Sequence, residues 1–266
     1  MSAIDPKRWA TLLRKLSLPA VEPAEFLAPP PAPPGSDPLT HHAVFGLLLW
    51  ESSTQQAAAA LKRILSVVVD YNELRVSRVD DIASWLGDKF PLASNRALRI
   101  RAMLSDIYAR QQTVQLSPML LGSKKDTTHA LQALDGITPF AVARVMALGL
   151  GRKAIPLDLR TLALLHKSKV IGAADTIETA STQIAALTPE ESLIDTLARL
   201  QHWSDTDGTP GEHADISPAP HGDHSPQERT KSTPAKQQAH DTDPDAAPAQ
   251  PRKPASRPRT TRRLRP

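Results

Sequence analysis

LDGITPFAVARVMALGLGRKAIPLDLRT, residues 134–161, decides the fold. Its first residues close one helix and its next residues open another. Leu131 and Leu134 face inward at the end of the first helix, and Asp135-Gly136 is a turn pair in which Gly136 can take positive φ. Ile137 points back into the junction and pins the two helices together. Pro139 suits the first turn of the second helix, where a missing N–H is harmless. Such a turn offers backbone N–H groups at a helix start, a place where a phosphate can sit. An ordinary helical corner with a glycine cap has the same sequence, so the hairpin alone leaves both readings open. A glycine-bearing loop follows, and Asp158 opens a third helix.

Working outward, the spacing of apolar residues predicts helices throughout a compact region from Thr40 to Trp203. HHAVFGLLLW reads as a buried helix. Helices follow over 54–69, with Ala57, Leu61, Ile64, Leu65 and Val68 on one face, then over 79–86 and 94–110. A short helix is expected from Asp126, taken as its N-cap, to Leu134. The last two helices are expected over 176–187 and 189–203, the latter with Thr188 as cap and Glu191 completing a capping box. No period-two run of β-branched residues suggests a sheet. The expected fold class is therefore all-α. Residues 1–39 add an amphipathic helix, with Trp9, Leu12, Leu13 and Leu16 on one side, and a Pro-rich linker at 28–38 expected to be extended rather than packed.

Charge is unevenly placed. The chain has 266 residues and a formal net charge of +4, but residues 1–203 carry only +3 while 204–250 carry −6 and 251–266 carry +7. The tail from 204 has almost no large apolar residue and is expected to be disordered, acidic and then basic. Its last segment could condense on DNA with little sequence preference, or could serve only solubility. There is no cysteine, so disulfides, thiolate zinc sites and cysteine-held clusters are excluded, and no metal-ligand spacing is found among the 9 His. No apolar run reaches membrane-spanning length. A cytoplasmic monomer without membrane attachment is the expectation.

The order of these pieces resembles the endonuclease III family of DNA glycosylases, with a helix-hairpin-helix followed by a Gly loop and an Asp. The family pattern L-P-G-V-G-x-K-T-A stands here as L-D-G-I-T-P-F-A, and V-D-T-H as Leu157-Asp158-Leu159-Arg160. Leu47 to Gln55 is similar to the family's L-L-S-x-Q-x-T-D, and Ser94 to Ile100 to N-S-K-A-x-x-I. The resemblance covers about residues 41–203 and implies a DNA-binding base-excision-repair protein with no cofactor, acting on duplex DNA that carries damage. Phe140 stands where the bifunctional members carry their lysine nucleophile, so strand cleavage by that route is not expected. Thr138 replaces the second turn glycine, and Ser52 the glutamine placed near the evicted base. The four cysteines of the family's iron–sulfur cluster are missing, as they are in some members.

By the same resemblance Asp158 would be catalytic. As a base leaves, positive charge builds on the sugar, and a fixed carboxylate stabilises it or activates water. Asp is equally one of the best N-cap residues, so a simple cap fits the sequence as well. Gly136, Thr138, Ser52, Arg96, Arg144, Arg152 and Lys153 are the expected DNA contacts, with Lys124 and Lys125 nearby. Glu51 reads as an exposed helix-end residue, with a second acid near the pocket as the alternative, and Trp50 as a packing residue placed where it could line that pocket. The sequence thus supports a monofunctional glycosylase, with two alternatives: a relative that binds DNA without chemistry, and a helical protein-interaction module.

Overall fold

The computed structural model describes residues 4–208 except Asp88. The tail beyond 208, expected to be disordered and to end in a basic segment, lies outside the described residues. Among the described residues all regular structure is helical.

The chain opens with α1 (Pro6–Lys15), capped by Asp5, whose side chain accepts from Lys7 N, with Pro6 at its first position. A five-residue helix α2 (Pro23–Leu27) follows. The 28–37 stretch is irregular, as proline requires, but it is not a free spacer. Pro30 O bonds to His41 Nε2 at 2.6 Å, and Asp37 accepts from Leu116 N at 3.0 Å. Partners on the body of the protein thus hold the linker against it. Asp37 also caps α3 (Pro38–Leu49), which is buried almost all round, as HHAVFGLLL predicts.

Next come α4 (Thr54–Leu65), α5 (Tyr71–Val76), α6 (Val79–Leu86) and the long α7 (Ala93–Gln111). Helix α8 (Lys124–Gln132) begins at Ser123, not at Asp126: the Ser123 side chain takes the Asp126 N–H, so Asp126 sits in the first turn. The second hairpin helix, α9 (Pro139–Arg144), continues into a wide turn over Val145–Gly149. Then follow α10 (Leu159–Lys167), α11 (Ile177–Leu187) and α12 (Leu193–Asp207). Thr188 does not cap α12. Its hydroxyl turns back to Ile184 O at 2.8 Å, a short 3-10 turn over Glu190–Ser192 intervenes, and α12 runs four residues past Trp203.

Two apolar cores result. Helices α3 to α9 enclose Phe45, Leu48, Leu61, Ile100, Leu104 and Phe140. A second core holds Trp9 and Leu27 from the N-terminal segment with Leu157, Leu165, Ile184 and Leu197. Chain segments α1 and α2 are therefore structural parts of the second half. Arg160, at the start of α10, donates to Ser204 O at 2.5 Å and to Gly208 O at 3.4 Å, so the start of α10 is tied to the end of α12.

Candidate nucleic-acid interface

The hairpin turn is held by close packing. Gly136 has φ 74°, and a Cβ there would lie 2.6 Å from Arg99 O and 2.9 Å from Arg99 Cα. No residue with a side chain fits, and the turn is pressed directly on the backbone of α7. Thr138 is buried and caps α9, taking the Ala141 N–H at 3.2 Å. Its hydroxyl thus satisfies one of the otherwise unpaired N–H groups at the start of α9. Phe140 is sealed in the first core.

The 50–54 turn connects α3 to α4 beside this hairpin. Ser52 is buried, and its hydroxyl closes on Leu48 O at 2.7 Å rather than facing outward. Glu51 takes φ 55°, a left-handed conformation uncommon for a residue with a side chain. The expected exposed helix-end residue is in fact 1% exposed. The conformation is fixed by an interlock with Asp158 across 107 positions of sequence. Glu51 N donates to Asp158 Oδ2 at 3.3 Å, while Leu159 N donates to Glu51 Oε1 at 2.7 Å. Asp158 Oδ1 meanwhile accepts from Thr161 N at 2.8 Å and Thr161 Oγ1 at 2.7 Å. Each carboxylate caps or covers the other's segment.

Asp158 is 3% exposed and bonded to Glu51 N and Thr161, so it does not face an open cleft of the kind a catalytic carboxylate requires. Burial and the Asp158 charge push the Glu51 carboxyl up to about 7, against the Leu159 N–H, Arg160 and Arg96, which pull it down. Glu51 Oε2 has no hydrogen-bond partner.

Two of the expected phosphate contacts are corrected. Arg96 is fully buried: it donates to Trp50 O, lies 4.6 Å over the Phe90 ring, and burial lowers its pKa to about 9. Arg144 is buried as well, donating to Leu27 O with its guanidinium 5.3 Å over Phe45. Neither reaches the surface. The signal was in the sequence: Arg96 shares the helical stripe of Ile100, Met103, Leu104 and Ile107. Arg152 and Lys153 are partly exposed, but not beside the turn. Lys124 Nζ donates to Lys153 O at 3.1 Å, which sets their loop at the start of α8, while Gly136 follows its end. Nine residues of helix, about 14 Å, separate the two.

The cation that does reach the turn is Arg99, one turn along α7 from Arg96. Its Nε donates to Asn95 Oδ1 at 2.7 Å, its Nη1 to Gly136 O at 3.3 Å, and its guanidinium lies 5.3 Å over the ring of half-buried Trp50.

The overall fold has counterparts among solved structures. A non-covalent endonuclease III–DNA complex superposes with a TM-score of 0.54 at 12% identity, over 75% of this chain and 85% of that one. The chain has the endonuclease III fold. A thermostable thymine-DNA glycosylase matches with a TM-score of 0.50 at 14% identity, over 75% of this chain and 87% of that one. The 3-methyladenine DNA glycosylase of H. pylori, bound to 1,N6-ethenoadenine, matches with a TM-score of 0.50 at 13% identity, over 75% and 97%. No protein-family model matches the sequence, and no curated protein matches it.

In this structure Phe140 and Asp158 are both buried. A cysteine-held iron–sulfur cluster does not fit the residues present, because the sequence offers no thiolate.

Proposed function

We propose that this chain binds duplex DNA in base-excision repair, through the face where the Gly136 turn, the 50–54 turn and the first turns of α7 and α10 meet. One observation carries the reading: the hairpin turn is docked without a spacer on Arg99, which in turn rests on Trp50, beside the starts of α4, α9 and α10. Helix starts bring partial positive charge to a face whose formal charges nearly cancel. Binding of a fluorescently labelled duplex, followed by anisotropy over a salt series, tests it. Affinity that falls with log[salt] supports the proposal; no affinity for duplex at low salt overturns it.

Hydrolysis of an N-glycosidic bond without strand cleavage is a second reading. It is favoured by Glu51, a carboxyl able to hold a proton near neutral pH, bonded to the segment of Asp158. In that reading the 50–54 turn moves off Asp158 when a nucleotide is flipped out, and the freed carboxylate stabilises the oxocarbenium-like state or activates water. Base release from a set of damaged oligonucleotides checks this. Asp158→Asn keeps a cap-forming side chain and must abolish release; release that survives it rules out the role given to Asp158. Without any release, Asp158 is a cap and the first reading stands alone.

A further inference from the structure

A second charged surface lies at the other end of α10. Helix α1 buries Trp9 and Leu16 is buried just past its end, both in the second core, which leaves Lys7, Thr11 and Lys15 on one exposed stripe at the spacing of a helical turn. Lys169, with φ 57°, stands opposite them in the turn that follows α10, and Arg8 Nη1 donates to its carbonyl at 3.5 Å. Between these segments runs a groove of about 600 Å3. Lys7, Arg8, Lys15 and Lys169 line it, and the less exposed Leu12 and Val170 form its floor.

The charge of this groove is uncompensated. Among the described residues Lys7, Lys15 and Lys169 make no ion pair, and Arg8 alone of the four has a carboxylate beside it, Asp5 at 3.8 Å. The four cations exceed the surplus of +3 carried by residues 1–203, so the rest of that stretch is slightly acidic. Trp9 and Val170 belong to one core, so both walls are already in place and little ordering is needed on binding. An occupant has to be anionic and has to bring something apolar to the floor. A DNA duplex would rest on the rim and leave the floor empty, and no aromatic ring lines the groove for an unpaired base to stack on. An acidic peptide meets both needs.

We infer that the groove between α1 and the end of α10 docks an acidic segment of a partner protein, with its carboxylates on Lys7, Arg8, Lys15 and Lys169 and one apolar side chain on Leu12 and Val170. Helix α10 has nine residues, so about 14 Å of helix separate this groove from Asp158. The surface goes beyond the duplex-binding reading, does not depend on it, and can be filled while a duplex is held.

The test uses the full chain at low salt and a fluorescein-labelled peptide, Glu-Asp-Glu-Leu-Asp-Glu-Asp, followed by anisotropy. Wild type should bind it, and replacing the peptide's leucine by alanine should weaken binding about fivefold. Lys7→Glu with Lys169→Glu reverses one cation on each wall and should weaken binding by about tenfold or more. Lys7→Gln with Lys169→Gln, which only neutralises them, should fall between. Lys62→Glu with Arg101→Glu places the same change of charge on exposed positions of α4 and α7 and should leave the affinity within about twofold. A saturating unlabelled duplex should not displace the peptide.

Wild type that fails to bind the peptide overturns the proposal. So does affinity that persists in both Lys7 and Lys169 double variants, as it would if the basic end segment held the peptide. An equal loss in Lys62→Glu with Arg101→Glu, or indifference to the peptide's leucine, reduces the effect to bulk charge and also overturns it. Displacement by duplex, with duplex affinity lost in Lys7→Glu with Lys169→Glu, makes the groove a DNA contact and overturns the peptide site while leaving the duplex-binding reading standing.

Discussion

Glu51 holds an uncommon backbone angle and a proton-retaining carboxyl in the same buried place, and both have measurable consequences. In the unfolded chain a glutamate titrates at its ordinary 4.5, whereas the folded protein raises Glu51 to about 7. The folded state therefore binds more protons between those values. Its contribution to stability is complete below about 4.5 and is lost as pH rises through about 7. Because burial lowers the pKa values of His41 and His42, which makes stability rise over part of the same window, the fall is read as a difference: the stability of wild type minus that of Glu51→Gln, which cannot ionise, should decrease with pH in chemical denaturation, leaving Glu51→Gln relatively more stable at pH 8. A difference between the two proteins that stays constant or rises across the window would contradict the buried interlock. Gly136 makes a second residue-level prediction. Gly136→Ala must adopt positive φ and also push Arg99 away, so a loss on the order of 2–4 kcal/mol is expected in urea unfolding. Duplex affinity should fall with it, because the turn can no longer rest on α7.

At the scale of elements, the hairpin depends on Thr138 for its second start. Thr138→Ala removes the acceptor of the Ala141 N–H and should cost about 1 kcal/mol, whereas Thr138→Gly should cost only a few tenths. Thermal melts of the two variants distinguish a capping role from one that needs the methyl group. Most elements were legible because their apolar residues recur with helical period, and the paired Asp135-Gly136 marked the corner. The inward placing of Arg96 was legible too, had the stripe been followed back from Ile107. It was passed over because a cation is expected outside, although a guanidinium over Phe90 with a carbonyl partner can be buried. Starts were less legible where two capping side chains compete, as Ser123 does with Asp126, or where a threonine bonds back to the preceding helix, as Thr188 does. Glu51 stood out in the sequence as an acid near the pocket, but its burial did not. No periodicity or cap marks it, and its partner is set by the meeting of two stretches 107 residues apart.

For the whole molecule, charge and fold are separable. The helical part is almost neutral and the last 16 residues carry seven cations, so the two make different electrostatic demands on DNA. A chain ending at residue 208 retains every described helix and should bind duplex with a shallower dependence on log[salt] than the full chain. If all seven cations of the end segment engage phosphates, the slopes should differ by about six. Equal slopes would mean that this segment takes no part. The division into two cores was hidden in the sequence because Trp9 and Leu27 belong to an N-terminal stretch whose prolines suggested detachment, and only their burial against α12 and its neighbours joins them to the second half.

One anchoring contact has a practical corollary. Arg160 ties Gly208 to the beginning of α10, two positions along the sequence from Asp158. A bulky fusion partner or a sensor-chip linkage installed directly after Gly208 would pull on that bond, so a spacer there keeps the start of α10 undisturbed when affinities are measured.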